Sequence, residues 1–465
     1  MARQIDATGL QRGFGGKTIV PGDGEYDAAR AIFNSMIDRR PAVIAQPASV
    51  SDVAAAIRFA RDNDLEIAVR SGGHSVAGAS VVDDGLVIDM RQMNEVTVDT
   101  DNDVARVGGG ANWGNFDTAT QAFGLGATGG RVSSTGVAGL TLGGGSGWVE
   151  RKFGLACDNL LAVELVTAEG EHVRASEDEN ADLFLALHGG GGNFGVATAF
   201  EFRLRALGPE IYVTLQLYPR EQAPEIARFY RDFAESAPDE IGGGLAFLTA
   251  PPEEFVPAEL QGTVMCGMIG TWCGPIEDAE KALGPLLNYG EPAVKIAMPV
   301  AYTMFQSMLD DPPGFRNYWT AEYMDSLPDD AIDVFCEWGM KQTPSPTQLI
   351  LLPWGGAVAR VGEDDTPMTK RQSPWVFHPL SLWEGAENDD FWISWARGSA
   401  EAMRRFTSGG VYLNFVGDEG QDRIVAAFGK AKYERLAMIK GRYDPQNVFH
   451  LNPNIKPLST PAGVS

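Results

Sequence analysis

The chain has 465 residues, of which 44% are hydrophobic and 21% charged, a composition typical of a globular protein with more than one domain. Its 62 acidic residues outnumber 37 lysines and arginines, and the net charge of -25 argues against nucleic acid and anionic membranes as partners, because both are polyanions. No apolar run reaches the roughly 18 residues of a membrane helix. The first residues show no secretory leader, and the four cysteines and five histidines show no metal-binding spacing. We therefore expect a cytoplasmic protein without a metal site.

The N-terminal part of the chain carries alternating signals for helices and strands. Apolar spacing predicts an amphipathic helix over 26–39. It also predicts a second helix, capped by Ser49 or Ser51, with Val53, Ile57 and Ala60 on one face. Strand patterns lie at Val43–Gln46, 66–70, Leu86–Asp89 and 103–107. We expect a small lobe of mixed helices and strands here.

A second group of elements extends to residue 206. Asn112 can cap a helix that runs to about Phe123, and residues 168–171 predict the turn of a hairpin. Residues 181–188 predict a helix, and 196–204 predict a strand. The glycine pattern between them, at 190–195, matches the GxGxxG of dinucleotide-binding folds. That pattern requires a preceding strand and a following helix, so its context excludes it here.

The character of the sequence changes at 207–209. Residues 211–218 predict a strand and 221–234 a helix, and further elements follow to about residue 425. A predicted strand over 316–320 places Arg316, Tyr318 and Thr320 on one face, where they could line a substrate pocket. Nearby aromatic candidates, most of which would ordinarily pack in a core, are Trp354, Trp375, His378 and Trp383. A helix over 422–439 is predicted near the end of the chain.

The most informative segment is the hexapeptide Arg-Ser-Gly-Gly-His-Ser at 70–75, directly after a predicted strand. Paired glycines let backbone N–H groups approach an anion closely, because no Cβ stands in the way. A histidine beside such a turn can reach whatever the turn holds. The alternative is a surface histidine in a polar loop.

This hexapeptide resembles the flavin-attachment motif of the berberine-bridge-enzyme-like oxidases, within the vanillyl-alcohol-oxidase superfamily. The resemblance continues, in the family's order, at 136–145, 158–160, 191–195, 412–415, 443–447 and 452–455. It implies an α+β fold, with a two-lobed FAD-binding domain of the PCMH type and an inserted substrate domain of antiparallel sheet covered by helices. The implied domains are 1–206 for FAD, 207–421 for substrate, and a segment at 422–465 that returns to the FAD-binding domain.

The resemblance also implies how FAD is held. His74 matches the histidine that carries FAD covalently in the family, and many members add a second bond through a cysteine where this chain has Val132. Because Val132 has no nucleophile, we expect a single covalent link. The resemblance implies that this departure accompanies a less open cleft, which disfavours a long oligosaccharide as substrate. Thr135 matches the family's oxygen-gate position, where a small side chain favours oxygen. The alternative is an ordinary packing residue.

Tyr412 is the expected catalytic base, because it matches the first tyrosine of the family's Tyr-x-Asn-Tyr motif. Tyr318 is the second candidate. A free tyrosine has a pKa of about 10, so a partner must lower it, and the sequence does not reveal that partner. Phe415 replaces the second tyrosine of the motif, which removes one polar group. The alternative is that Tyr412 only packs.

These observations predict an FAD-dependent oxidase. It would transfer hydride from a small alcohol, hydroxylated natural product or amine to flavin N5, and O2 would accept the electrons as H2O2. A dehydrogenase with another acceptor and a non-catalytic FAD-binding protein remain alternatives, and the oligomeric state stays open. The expected cofactor-binding residues are Arg70, Ser71, Gly72, Gly73, His74, Ser75, Gly78, Gly129, Gly130, Val132, Ser133, Thr135, Gly136, Gly139, Leu140, Gly143, Gly144, Asn159, Leu160, Val163, Asn414, Asn452 and Asn454.

Overall fold

Two small β-sheets and one large β-sheet organise the chain in the computed structural model, which describes residues 5–310 and 314–458. The expectation that the chain has no secretory leader concerns its first residues, and the first four of these lie outside the described residues. The first sheet consists of β1 (Lys17–Ile19), β2 (Val43–Gln46), β3 (Ile67–Arg70) and β4 (Leu86–Asp89), in the order β1-β2-β4-β3. β2 and β3 run parallel to β4, and β1 runs antiparallel to β2.

The helices of this first lobe are α1 (Thr8–Gln11), α2 (Tyr26–Arg30) and α3 (Val50–Asp62). α3 begins as predicted, because the Ser49 side chain accepts the backbone N–H of Asp52. The prediction of a helix over 26–39 is wrong beyond residue 30. Phe33 leaves the helical path to stack on His74, and the Asn34 amide donates to the Val76 carbonyl, so the chain runs irregularly there.

The second sheet is antiparallel and supplies the second lobe. Its strands are β5 (Val96–Asp99), β6 (Val104–Gly108), β8 (Leu160–Val166), β9 (His172–Ser176) and β10 (Val196–Arg203), in the order β5-β6-β10-β8-β9. β7 (Leu125–Gly126) and β11 (Arg205–Ala206) pair separately. The helices are α4 (Trp113–Gln121), α5 (Val137–Leu142), α6 (Glu150–Phe153) and α7 (Ala181–Ala186). The predicted hairpin joins β8 to β9, and Asn112 caps α4 in a reciprocal pair with Asn115.

The third sheet is the largest, and all its strand pairs are antiparallel. Its strands are β12 (Glu210–Pro219), β13 (Ile241–Thr249), β14 (Val264–Trp272), β15 (Val294–Ala301), β16 (Arg316–Trp319), β17 (Glu322–Met324), β18 (Gln348–Pro353) and β19 (Trp375–Trp383). They follow the order β15-β12-β14-β13-β18-β19-β16, and β17 also pairs with β19.

Helices cover one face of this third sheet. The helices of this region are α8 (Ala223–Ser236), α9 (Ala279–Ala282), α10 (Gly284–Leu287), α11 (Tyr302–Gln306), α12 (Asp329–Met340), α13 (Ala357–Arg360) and α14 (Asp389–Met403). Side chains of α8, α12 and α14 form one buried core with alternate residues of the strands, such as Phe247, Leu349 and Phe377. The residues between them on β18 and β19 point to the opposite face, toward the first two sheets.

The C-terminal segment returns to the second lobe as α15 (Gln421–Phe428) and α16 (Lys430–Tyr443). The single predicted helix over 422–439 is interrupted at Gly429, whose φ of 70° is not helical. Lys440, fully buried, pairs with Asp444 at 2.6 Å and donates to the carbonyls of Asn193 and Phe449. No helix within the two described stretches has the length and apolarity needed to cross a membrane.

Candidate active site

A cleft lies where the first two sheets meet the third. Its cavity volume of about 320 Å³ falls in the range of small-molecule sites. One wall comes from glycine-rich turns of the first two lobes, and the other comes from the open face of β18 and β19 with residues 413–417. The two walls differ in character, because backbone groups dominate the first and apolar side chains the second.

The glycine wall is built around the turn that follows β3. A Cβ on Gly72 would lie 2.2 Å from the backbone N of Gly136, so this turn and the start of α5 meet at a distance that only glycine permits. Gly73 has a φ of 77°, which also favours glycine. Of the predicted cofactor-binding residues, those that line the cleft are Ser71, Gly72, Gly73, His74, Ser75, Gly130, Val132, Thr135, Gly136, Gly139, Leu140, Gly143, Asn414 and Asn452.

His74 lies in this wall with a fixed ring. The imidazole stacks on Phe33, with ring centroids 4.3 Å apart and planes 22° apart. Its Nε2 lies 3.0 Å from the Ser134 hydroxyl oxygen. Burial lowers the pKa of His74 to about 4, since the charged form would lose its water. The ring is therefore neutral near pH 7 and carries one unprotonated nitrogen.

Several predicted cofactor-binding residues do not line the cleft, and their contact with the cofactor stays a prediction. The Arg70 side chain points away from the cleft and donates to the Ala29 carbonyl at 2.5 Å. Burial lowers the pKa of Arg70 to about 10. Ser133 donates to Asp310, and Asn159 donates to the carbonyls of Phe153 and Leu155. The others pack against protein atoms in turns, in the core or in the C-terminal segment: Gly78, Gly129, Gly144, Leu160, Val163 and Asn454.

Tyr412 is buried behind the glycine wall and does not line the cleft. Its hydroxyl oxygen accepts the backbone N–H groups of Gly145 at 2.7 Å and Ser146 at 2.8 Å, and the Asn414 amide at 2.9 Å. Burial raises the pKa of Tyr412 above its ordinary value, despite these three donors. The Tyr412 oxygen is thus enclosed by the protein in this structure, and its role as the catalytic base stays a prediction.

Tyr318 also lies away from the cleft. Its hydroxyl accepts Arg397 Nε at 2.9 Å, and the neighbouring Arg316 pairs with Asp389, so both side chains face α14. Arg316 and Tyr318 do share one face of the strand, as predicted, but this face packs against α14 and does not line the cleft. Trp319, one residue further, is the side chain of β16 that lines the cleft.

The apolar wall was missed by sequence reasoning. It contains Gln348, Ile350, Leu352, His378 and Leu380, and Ile350 lies directly opposite His378 in the β18–β19 ladder. The alternation of these residues along two predicted strands is the signal that could have found them. Among the aromatic candidates only His378 lines the cleft, whereas Trp354, Trp375 and Trp383 are buried in the cores.

Comparison with known proteins identifies the family. The family described as "FAD binding domain" matches residues 41–176, and the family described as "Berberine and berberine like" matches residues 411–456. The (R)-6-hydroxynicotine oxidase of Paenarthrobacter nicotinovorans is 31% identical over 463 residues, covering 95% of this chain and 97% of that protein. The chain belongs to the berberine-bridge-enzyme-like FAD-linked oxidoreductases.

Solved structures of this berberine-bridge-enzyme-like family agree with the fold. The crystal structure of 6-hydroxy-D-nicotine oxidase from Arthrobacter nicotinovorans gives a TM-score of 0.86 at 28% identity, covering 98% of this chain and all of that one. Glucooligosaccharide oxidase from Acremonium strictum, which has a 6-S-cysteinyl, 8α-N1-histidyl FAD, gives 0.85 at 23% identity, covering 97% and 99%. The predicted α+β fold, with a two-lobed FAD-binding part and an inserted substrate part, and the predicted FAD cofactor are confirmed.

The glycine wall of this flavoprotein fits FAD. The Ser71 hydroxyl is buried and has no partner among the described residues, and it belongs to the turn that lines the cleft. A Cβ on Gly139 would meet no protein atom within 4 Å, so the space in front of α5 is open to a ligand. FAD bound here supplies the acceptor for a hydride. Residues 71–75, 135–143 and 190–192 would hold it.

Proposed function

We propose that this chain is an oxidase that removes hydride from a small alcohol, hydroxylated natural product or amine and passes the electrons to O2, giving H2O2. The observation that carries this proposal is the apolar wall of β18 and β19, which faces the glycine wall across one cleft. A substrate held there would lie against a flavin held by the glycines. The proposed domain limits are 1–206, 207–421 and 422–465.

We also propose one covalent bond to FAD, through His74. The neutral imidazole has an unprotonated nitrogen that can act as a nucleophile, and the ring lies in the glycine wall. Val132 lines the same wall and offers no second nucleophile. The four cysteines are all buried, and none of them lines the cleft.

Acid precipitation tests the covalent bond. The yellow colour should stay with the wild-type pellet and move to the supernatant in His74→Ala. His188→Ala is the matched control, because His188 is a half-buried histidine held by the Phe184 carbonyl outside the cleft. Flavin that stays in the His74→Ala pellet would contradict the assignment. Thiol alkylation should change nothing.

A substrate screen tests the reaction. We expect a subset of alcohols or amines to bleach the flavin under anaerobic conditions and to produce peroxide in air. Bleaching without peroxide, followed by rapid reoxidation with a quinone, would favour the dehydrogenase. No bleaching by any compound class would favour the non-catalytic alternative.

The Thr135 side chain tests oxygen access. Thr135 lines the glycine wall, and the larger Thr135→Leu side chain should obstruct small-molecule access to the flavin there. We expect at least about tenfold slower reoxidation in air, equivalent to about 1.4 kcal/mol of barrier, with anaerobic reduction nearly unchanged. Equal reoxidation rates for wild type and variant, measured by stopped-flow absorbance, would show that Thr135 does not control oxygen access.

A further inference from the structure

Two buried polar atoms in the apolar wall have no partner among the described residues. They are the indole Nε1 of Trp319 and the imidazole Nε2 of His378, and both side chains line the cleft. Their rings meet edge to face, with centroids 5.8 Å apart and planes 80° apart. Buried polar atoms in native proteins are nearly always hydrogen-bonded, so a neighbouring pair without partners indicates a ligand.

The two orphan atoms are a donor and an acceptor. Indole Nε1–H can only donate. In His378 the other nitrogen, Nδ1, lies 2.9 Å from the Thr320 carbonyl, which can only accept. The neutral ring therefore carries its proton on Nδ1, and Nε2 presents a lone pair. Burial, with a smaller contribution from Arg131, lowers the pKa of His378 to about 4 and keeps the ring neutral.

Both rings are held in place. His378 is 2% exposed and stacks on Phe415, with ring centroids 4.2 Å apart and planes 10° apart. Trp319 meets Phe33 edge to face at 6.0 Å. Because neither ring can turn freely to find water or protein, the donor and the acceptor are each held in a fixed direction.

The surroundings select a neutral and largely apolar ligand. Around the pair lie Ile350, Leu352, Leu380 and Phe415. Among the described lining residues, Arg131 is the only side chain that keeps a full charge at neutral pH, and its guanidinium is already bonded to Ser146, the Gly147 carbonyl and Glu150. Glu150 already balances the charge of Arg131, whose Nε has no partner among the described residues, so a charged substrate would lose its water here without gaining an unpaired counter-ion.

We propose that a hydroxyl group of the substrate binds between Trp319 and His378, accepting from Nε1–H and donating to Nε2, and that the rest of the substrate is neutral and largely apolar. This rests on the proposed oxidase function and specifies its substrate class. A hydroxyl satisfies both atoms at once, whereas an ether can only accept and a protonated amine can only donate.

The same arrangement gives the hydroxyl proton a destination. FAD bound in the cleft would accept the hydride and its two electrons from the substrate carbon, whose C–O bond would become C=O as the O–H bond breaks. The substrate would be oxidised and FAD reduced, and Nε2 of His378 would take the proton and pass it to solvent. A protonated carbonyl is a far stronger acid than imidazolium, so even this weakly basic nitrogen accepts the proton.

Binding of two matched probes to the flavin-loaded protein tests the proposal. 2-Naphthol can donate and accept, whereas its methyl ether can only accept. By calorimetry we expect His378→Phe to weaken 2-naphthol about 3- to 10-fold and leave the ether nearly unchanged. Trp319→Phe should weaken both, His378→Gln should restore part of the 2-naphthol affinity, and His188→Phe should change neither.

A measurement on the wild-type protein avoids any effect of the substitutions on folding. The chain has only 5 histidines, so the ¹⁵N resonance of His378 Nε2 can be assigned by its loss in His378→Gln. It should shift on addition of 2-naphthol and stay in place with the ether. Equal losses of both probes in His378→Phe, or an unchanged Nε2 resonance, would overturn the proposal. A failure to produce peroxide would contradict the oxidase function and leave these binding results unaffected.

Discussion

The hydroxyl oxygen of Tyr412 stabilises the glycine wall from the side that faces away from the cleft. Its hydroxyl accepts two backbone N–H groups from residues 145 and 146 and one side-chain amide from Asn414. Asn414 in turn donates to the Leu140 carbonyl and lines the cleft. Tyr412 is therefore a positioning residue for the glycine wall.

Removing this oxygen should destabilise the protein. In Tyr412→Phe three N–H groups lose their acceptor inside the core, and each unsatisfied buried donor costs about 1–3 kcal/mol. We expect the free energy of unfolding in urea to fall by roughly 2–4 kcal/mol. Tyr302→Phe is the matched control, because the Tyr302 hydroxyl is buried without a partner and its removal should cost nothing. Equal stability of the two variants would contradict this role.

The sequence could identify which residues lie near the site better than it could show where their side chains point. The turn at 70–75 was predicted from its glycines and lies in the cleft, since its conformation depends on local backbone geometry. Tyr412 was predicted to meet substrate, but its partners are backbone N–H groups more than 260 residues away. No side-chain pattern records such donors, so the sequence could not show that the hydroxyl is enclosed.

Among the elements, α5 places a glycine where FAD must approach. Gly139 lies inside this helix, where alanine is favoured by up to about 1 kcal/mol, and a Cβ there meets open space in the protein. Gly139→Ala should therefore leave the flavin-free protein equally or more stable. It should lower the flavin content of the purified protein, because the methyl group projects into the cleft.

Gly284→Ala is the control for that experiment. Gly284 begins α10, its Cβ would also meet no atom within 4 Å, and it does not line the cleft. Its flavin content should equal that of wild type. If Gly139→Ala kept full flavin content as well, the space in front of α5 would not be part of the cofactor site.

The ends of helices and the orientation of strands were harder to predict from the sequence than the presence of a helix or strand. α3 was predicted with its cap, because Ser49 and three buried apolar positions are local signals. The helix at 26–39 ends at residue 30, because Phe33 and Asn34 are engaged by distant residues. For β16 the wrong face was predicted to line the cleft. The alternation of side chains along a strand shows which residues share a face, but it does not show which face meets the cleft.

At the scale of the whole molecule, the third sheet docks on the second lobe through a buried carboxyl. Gln306 of α11 donates to Asp117 of α4 and to the Gly130 carbonyl in the glycine wall, both at 3.0 Å. The other oxygen of Asp117 has no partner among the described residues. Burial raises the pKa of Asp117 to about 7 although the hydrogen bond from Gln306 lowers it, so the buried carboxyl is most stable when it is protonated.

This contact gives the protein a specific pH dependence. Asp117 is protonated in the folded state up to about pH 7, whereas in the unfolded state it ionises near pH 4, so its contribution to stability is lost as pH rises through that window. Relative to Asp117→Asn, wild type should lose about 2–3 kcal/mol of unfolding free energy between pH 5 and pH 8.

Asp89→Asn is the control with the opposite sign. Burial opposes ionisation of Asp89, but its hydrogen bonds with Arg91 outweigh this and lower the pKa. Wild type should therefore gain stability over Asp89→Asn only as pH rises from the folded pKa of Asp89 to about 4, and the difference between the two should stay constant from pH 5 to pH 8. A constant difference between wild type and Asp117→Asn from pH 5 to pH 8, by urea unfolding, would show that Asp117 is ionised throughout.

The buried Lys440 of α16 has a consequence for synthesis on the ribosome. Its ammonium group donates to the carbonyl of Asn193, which lies 247 residues earlier in the chain. At roughly 5–20 residues per second, those 247 residues take about 12–50 s to translate. Throughout that interval the emerging polypeptide has the cleft-lining glycines at 190–192 but lacks Lys440 and Asn452. We therefore expect the nascent protein to retain a flavin only after the residues from Lys440 to Asn452 have been translated.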